Sequence, residues 1–424
     1  MRGSGFRVPG SGFGLPRSRF RAQPANLEAG ANLEPGANLE SGANLEPGAN
    51  LEPGTRNQEP VRRRYIDWAR ALAVILMIEA HTTDGWTRPA DRTSIGFRNA
   101  TILGGFAAPL FLFLAGVAVV LSAEARLGRG RSRREAGEAV VRRGLEIFIL
   151  AFVFRIQEFV LSPGTPPLLL FRVDILNIMG PAIVAAAVVW ALASDRRAQV
   201  MANAAVAAGI ALVTPIVRTA PAVHALPAWI QWYIRPAGDQ TTFTTFPWAG
   251  FVFAGAAVGA LLAAADDRQD ESRLHVVLAP IAAALIVLGV FCASLPSMYR
   301  ESSFWTSSPT FFAIRTGIVL LTVSILYWCQ RIADARGVMF RPLDRLGRRS
   351  LFVYWIHVEL VYGYASWLWR GRLPLWATVA GFGAFTVLMY GAVVLHDRIA
   401  SAWQAPRQQV AAIFRVGVGS GAPR

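Results

Sequence analysis

Lysine is missing from the 424 residues: all 42 basic side chains are arginine, set against 27 acidic ones, for a formal charge of +15. Charge of either sign is nevertheless sparse, at 16% of residues, while 54% are hydrophobic. A soluble nucleic-acid-binding domain would combine such basicity with a polar composition, so that class is excluded and no nucleic-acid partner is expected. The all-arginine usage fits a GC-rich coding sequence and carries no functional reading. Cysteine is scarce too. Cys292 and Cys329 lie in apolar runs without metal-like spacing, which removes disulfide scaffolds and zinc sites, and no metal is expected. No apolar core follows the early arginines, so no secretory leader is expected.

What is present divides at residue 64. Residues 1–64 are rich in Gly, Pro, Arg and Ser and contain five hexapeptides from Ala25 to Gly54, reading ANLEAG, ANLEPG, ANLESG, ANLEPG and ANLEPG. One Leu per unit buries too little surface to offset the cost of ordering the chain, so this extension is expected to be disordered. Residues 65–398 form a series of apolar segments near the roughly 20 residues that a helix needs to cross a bilayer. The expected spans are ten: 65–86, 99–122, 144–162, 174–193, 198–217, 246–265, 275–295, 311–330, 350–369 and 375–395. The short turn at Ser194 to Arg197 leaves open a re-entrant hairpin for the fourth and fifth. The fold class is therefore all-α, a polytopic integral membrane helix bundle of about ten transmembrane helices, followed by a C-terminal tail over 399–424.

Arginine placement orients this bundle. With the first span entering from the cytoplasm, the inside loops hold twenty arginines and the outside loops nine. The positive-inside rule then puts both termini in the cytoplasm, with the chain in the cytoplasmic (inner) membrane among membrane lipids.

Ionisable groups inside spans are costly unless paired or hydrated, so each is a candidate site residue. On the first span Asp67, Arg70 and His81 fall on one helical face, with Glu79 opposite. Asp67 and Arg70 stand at i and i+3 near the cytoplasmic side, where a local ion pair is the plain alternative to a catalytic role. His81 lies roughly 21 Å beyond Asp67 at 1.5 Å per residue, in the outer half, with Asp84 one turn further on. In the third span Arg155 and Glu158 form an i, i+3 pair, Asp174 and Asn177 open the fourth, and Arg315 near an outer end is expected to snorkel. The ninth span, SLFVYWIHVELVYGYASWLW, carries Ser350, Tyr354 and His357 on one face. Seven residues put His357 about 10 Å inside the cytoplasmic boundary, so the two histidines are expected at different depths and a shared metal site is disfavoured. The cytoplasmic segments RLGRGRSRR, RRG and RPLDRLGRR cluster guanidinium groups able to hold phosphates, with Arg142 and Arg143 preferred and Arg348 and Arg349 as a second pair. The Trp-rich stretch from His224 to Pro236 reads as an interfacial anchor, with sugar stacking as a minor alternative.

These residues carry a resemblance. RYIDWARALAVILMIEAH, from Arg64 to His81, resembles the first helix of the membrane acyltransferase type 3 families, with an Asp, an Arg three residues later and a His eleven residues after that. PLFLFLAGVAVVLS at Pro109, RRGLEIFIL at Arg142, VDILNIMGPA at Val173 and LGRRSLFVYWIHVELVYG at Leu346 are similar to the heparan-alpha-glucosaminide N-acetyltransferase catalytic-domain family and its bacterial relatives. The resemblance covers residues 62 to 400 and implies an acyltransferase that takes an acyl group, acetyl in the first instance, from cytoplasmic acyl-CoA (acetyl-CoA) as co-substrate. The acceptor would be a hydroxyl or amine of an envelope sugar, glycan, lipid or exported metabolite. It implies His81 as the catalytic residue, in one motif with Asp67 and Arg70; the residues themselves add Asp84, one helical turn beyond His81, to orient its ring. It implies Arg142 and Arg143 on the acyl-CoA. The residues themselves add Arg348 and Arg349 as a second phosphate-holding pair, and Arg155, Asp174, Asn177 and His357 on the acceptor, with a structural hydrogen bond as the plain alternative for His357. Human-type members place a histidine in the first luminal loop, whereas the loop from Thr82 to Asn99 has none, which argues against glucosamine as the specific acceptor. A transporter or flippase is the alternative that ten spans and a polar stripe would also serve. Homo-oligomers remain open.

Overall fold

The structure, a computed structural model, describes residues 63–161, 166–265 and 267–418, with side chains through residue 402. The hexapeptide repeats lie outside the described residues, as do the side chains of most of the expected tail. Fourteen α-helices occur among the described residues: α1 Arg64–Trp86, α2 Ile95–Gly104, α3 Ala107–Leu127, α4 Arg133–Leu161, α5 Ile175–Leu192, α6 Arg196–Thr219, α7 Pro221–His224, α8 Ala228–Ile234, α9 Thr245–Ala263, α10 Arg268–Ser294, α11 Pro309–Ala335, α12 Arg341–Arg348, α13 Ser350–Tyr362 and α14 Leu375–Val418. There is no β-sheet among these residues, only isolated bridges at Thr87 with Leu373 and at Val173 with Thr241.

Seven runs are long and apolar enough to cross a membrane, not ten: Ile95–Leu127, which joins α2 and α3, then α5, α6, α9, α10, α11 and Leu375–Ala402 of α14. The chain is a multi-pass membrane helix bundle. The three expected spans that fall short do so for stated reasons. α1 carries Asp67, Arg70, Glu79 and Asp84, the apolar half of α4 carries Glu146, Arg155 and Glu158, and α13 stops after 13 residues. The fourth and fifth expected spans are the two helices α5 and α6, each long and apolar enough to cross.

The bundle is centred on α3 and α9. Of the most apolar window of α9, 67% is buried, against 17% for α10, whose Val276, Val277, Val287, Leu288 and Phe291 face outward. In water such a surface would be an aggregation liability, whereas in lipid it carries no penalty. The central contact depends on small residues. A Cβ at Gly116 would come within 1.8 Å of the Val252 carbonyl oxygen, and one at Gly255 within 1.8 Å of the Phe113 carbonyl oxygen. Only glycine permits the two backbones to approach this closely.

Polar clasps hold the two ends. At the arginine-rich end Arg64 Nη1 donates to Asp334 at 3.1 Å, Trp68 Nε1 to Asp344 at 2.8 Å, and Tyr65 Oη to the buried Glu271 at 2.6 Å. Here α12 is wedged against α1, with Gly347 lying on the Asp67 carbonyl. At the opposite end the Thr87–Leu373 bridge ties the loop after α1 to the segment before α14, with Arg88 N donating to Leu373 O at 2.8 Å. The Val173–Thr241 bridge ties the start of α5 to the segment before α9.

Candidate active site

The centre of the site is a pair of imidazoles. His81 on α1 and His357 on α13 meet with Nδ1 of the first 2.8 Å from Nε2 of the second, and their rings are parallel to within 2°. The expectation of different depths is therefore wrong, and its error lies in the helix origin. It placed Ser350 at the membrane boundary, whereas α12 is tucked in against Asp67, a turn inside α1, so α13 begins within the bundle. Farther along, Gly85 packs on Val361 and Tyr362, and α1 and α13 run side by side through the histidines. His357 is fully buried, while His81 is partly exposed. The Nδ1 of His357 lies 2.8 Å from the Val353 carbonyl, one turn back on its own helix.

Asp84 was expected to orient the His81 ring, and its carboxylate has other partners. Oδ2 accepts from Tyr362 Oη at 3.0 Å, and Arg92 lies on its other side, with Nη1 3.6 Å from Oδ1 and a second bond to the Asp84 carbonyl. The Tyr362 ring in turn packs edge-on to His81, centroids 5.6 Å apart. Asp84 thus braces the wall of the histidine pair through Tyr362.

Tyr354, a turn before His357 on α13, leads to a second polar group. Its ring lies 5.9 Å from His357 and 5.7 Å from Phe154 on α4, centroid to centroid. The neighbouring Arg155 is buried and donates to Glu158 and, at 2.6 Å, to Asp174 Oδ2. Asp174 and Asn177 form a capping box at the start of α5, and Asn177 Nδ2 reaches Tyr233 Oη at 3.5 Å. Arg172, in the loop before α5, donates to Thr242 at 2.9 Å. Burial lowers its pKa from the usual guanidinium value, and the nearby Arg155 charge adds to the effect. The Trp-rich stretch contributes from outside: Trp229 is exposed, whereas Trp232 and Tyr233 pack on the core.

The sequence-derived candidates therefore separate into two groups. His81, His357, Asp84, Arg155, Asp174 and Asn177 gather towards the end away from the arginine-rich loops. Asp67 and Arg70 do not join them: Arg70 Nη1 donates to Asp67 Oδ1 at 3.2 Å beside α12, the two residues standing eleven and fourteen positions before His81. Arg142 is exposed, Arg143 pairs with Glu146 at 3.1 Å, Arg348 is exposed, and Arg349 binds Asp397 at 2.8 Å, all at the arginine-rich end. Arg315, expected to snorkel, instead lays its guanidinium over Phe311 at 4.1 Å and Trp248 at 5.4 Å. Arg92, Arg172 and Tyr362 were not singled out from the sequence. The first two read there as ordinary outside-loop arginines, and only the fold shows that their loops return to the site. Among the described residues no group of three or more His, Cys, Asp or Glu side chains is placed to hold a metal ion.

One buried and one partly exposed imidazole thus meet between two helices of a multi-pass membrane bundle. Residues 62–292 match the family described as heparan-alpha-glucosaminide N-acetyltransferase, catalytic, and the chain belongs to that family. At the level of the family it is an acetyltransferase-like membrane enzyme, with an acyl-CoA donor and an acceptor implied. Comparison with curated proteins finds none that matches. The matched segment contains His81, Asp84, Arg155, Asp174 and Asn177, and ends before α13 brings in His357 and Tyr362.

Proposed function

We propose that the protein transfers an acyl group, acetyl in the first instance, from acyl-CoA to a hydroxyl or amine of an envelope sugar, glycan, lipid or exported metabolite. His81 acts as the general base. The observation that carries this reading is the His81–His357 contact: a partly exposed imidazole on α1 held through Nδ1 by a second, fully buried ring. A thioester needs little activation, so proton removal from the acceptor is the main requirement. His81 Nε2 takes that proton as the acceptor oxygen or nitrogen bonds to the thioester carbonyl carbon. The carbon–sulfur bond then breaks and CoA leaves.

Arg155, Asp174, Asn177 and Tyr354 line the acceptor side. Asp174 and Asn177 are engaged in capping α5, so their contribution is to hold the start of that helix and Arg155 in place. Arg142 and Arg143 receive the CoA phosphates at the arginine-rich end, so the pantetheine arm must reach inward along α1.

The test uses full-length protein in nanodiscs with labelled acetyl-CoA and a pool of envelope glycans and lipids. His81→Ala is expected to lower transfer by about 100-fold or more, the usual share of a general base, with folding unchanged. Acceptor-dependent CoA release at the wild-type rate in a folded His81→Ala protein would remove His81 from this role.

A further inference from the structure

We propose that His357 is a positioning residue that sets the tautomer of His81 and makes their shared proton path a closed one. This rests on the reading of His81 as the base. The polarity of the hydrogen-bond chain follows from its last member. The Val353 carbonyl oxygen can only accept, so His357 Nδ1, 2.8 Å away, must be the N–H of its ring. A neutral imidazole has one N–H, which makes His357 Nε2 an acceptor. His81 Nδ1, 2.8 Å from it, must then donate, and the lone pair of His81 lies on Nε2.

Two further features fit. Imidazole lone pairs lie in the ring plane, and the two rings are parallel to within 2°, as a direct N–H···N bond favours. Val353 precedes His357 by one turn of the same helix, so the backbone of α13 itself sets the donor direction, and His357 has no exposed surface on which to turn.

The arrangement determines where the proton can go. When the acceptor's O–H or N–H proton moves to His81 Nε2, His81 becomes an imidazolium with its Nδ1–H on His357. His357 can take that second proton on Nε2, but its own Nδ1–H faces a carbonyl oxygen, which takes no proton. Through His357 the positive charge is shared across two rings and travels no further than the Val353 carbonyl. The proton therefore leaves by the nitrogen at which it arrived: His81 Nε2 returns it to the sulfur as the carbon–sulfur bond breaks, and CoA departs as the thiol. One nitrogen serves as base and then as acid, and each turnover restores both starting tautomers.

The test combines NMR of isotopically labelled histidine nitrogens with turnover, on full-length protein in nanodiscs. In the wild type both His81 and His357 are expected in the Nδ1–H form. In His357→Phe, which keeps a ring but offers no acceptor, His81 is expected to shift towards the Nε2–H form. His357→Gln supplies a side-chain carbonyl for His81 Nδ1–H and should keep the original tautomer. By the usual magnitude of acid–base catalysis, kcat should fall about 100-fold in His357→Phe and recover about tenfold in His357→Gln, with KM for acyl-CoA within about twofold in both. A group that only fills space would not produce this order, since Phe fills the site at least as well as Gln.

The proposal is overturned if His81 keeps its tautomer in folded His357→Phe, or if folded His357→Gln turns over no better than His357→Phe. Turnover retained in His81→Ala would instead overturn the base reading, and with it the catalytic consequence drawn for His357, whatever the resonances show.

Discussion

Asp91 shows how much a single half-buried carboxylate can do at the rim of the site. Its Oδ2 accepts from the Leu375 backbone N–H at 2.8 Å, the first residue of α14, and its Oδ1 accepts from Arg88 Nε at 3.0 Å. The Leu375 bond, with help from Arg88, holds the Asp91 carboxyl below its usual pKa. Because the folded pKa is depressed, the stabilisation is complete above the unfolded value of about 3.9 and is lost as pH falls through the folded value. Amide exchange at Leu375, corrected for intrinsic rates, should lose protection below about pH 4 in the wild type. In Asp91→Ala it should be unprotected already at neutral pH. Equal protection of wild type and variant at neutral pH would show that the bond does not hold α14. Nothing in the spacing around Asp91 announces this tie, because Leu375 is 284 residues away. His81, by contrast, was legible at once, since an imidazole in an apolar segment stands out against its neighbours.

At the scale of helices, the site lies where hydropathy is weakest. α1, α4 and α13 are the three expected spans that fail on charge or length, and their side chains make the His81–His357 and Phe154–Trp355 contacts. Asp67, Glu79, Asp84 and Arg155, which spoil the apolar pattern of α1 and α4, are brought to the interior, so the overcount of spans and the choice of candidate residues have one source. The depth of His357 was not legible, because it depends on how far α12 is inserted, a tertiary contact made through Gly347. The α3–α9 crossing gives an independent check on the fold. Gly255→Ala should destabilise the protein by about 3 kcal/mol, the upper end for overpacking, since the Cβ meets a backbone oxygen that has little freedom to move. Gly209→Ala on α6, where a Cβ meets nothing within 4 Å, should be neutral or stabilise by up to about 1 kcal/mol through helix propensity. Thermal melts in detergent compare them, and equal midpoints for Gly255→Ala and the wild type would exclude the close crossing.

For the molecule as a whole, the charge of +15 becomes a statement about direction. The loops after α3, α5, α9 and α11 lie at the arginine-rich end, and the histidine pair lies towards the other. From Asp67 to His81 is fourteen residues of α1, about 21 Å of helix rise. If the positive-inside rule holds, a cytoplasmic donor binds at one end and its thioester reacts near the other, so the acyl arm crosses most of the bundle. Single cysteines in a Cys292→Ser, Cys329→Ser background test this. Arg131→Cys, in the exposed loop after α3, should react with a membrane-impermeant thiol reagent only when the cytoplasmic face is opened. Ser302→Cys, in the exposed loop between α10 and α11, should react in intact cells. The reverse pattern would place the histidine pair on the cytoplasmic side, next to the donor. The arm would then have no membrane to cross, and the arginines would have to be reassigned from holding CoA to a role at the outer surface.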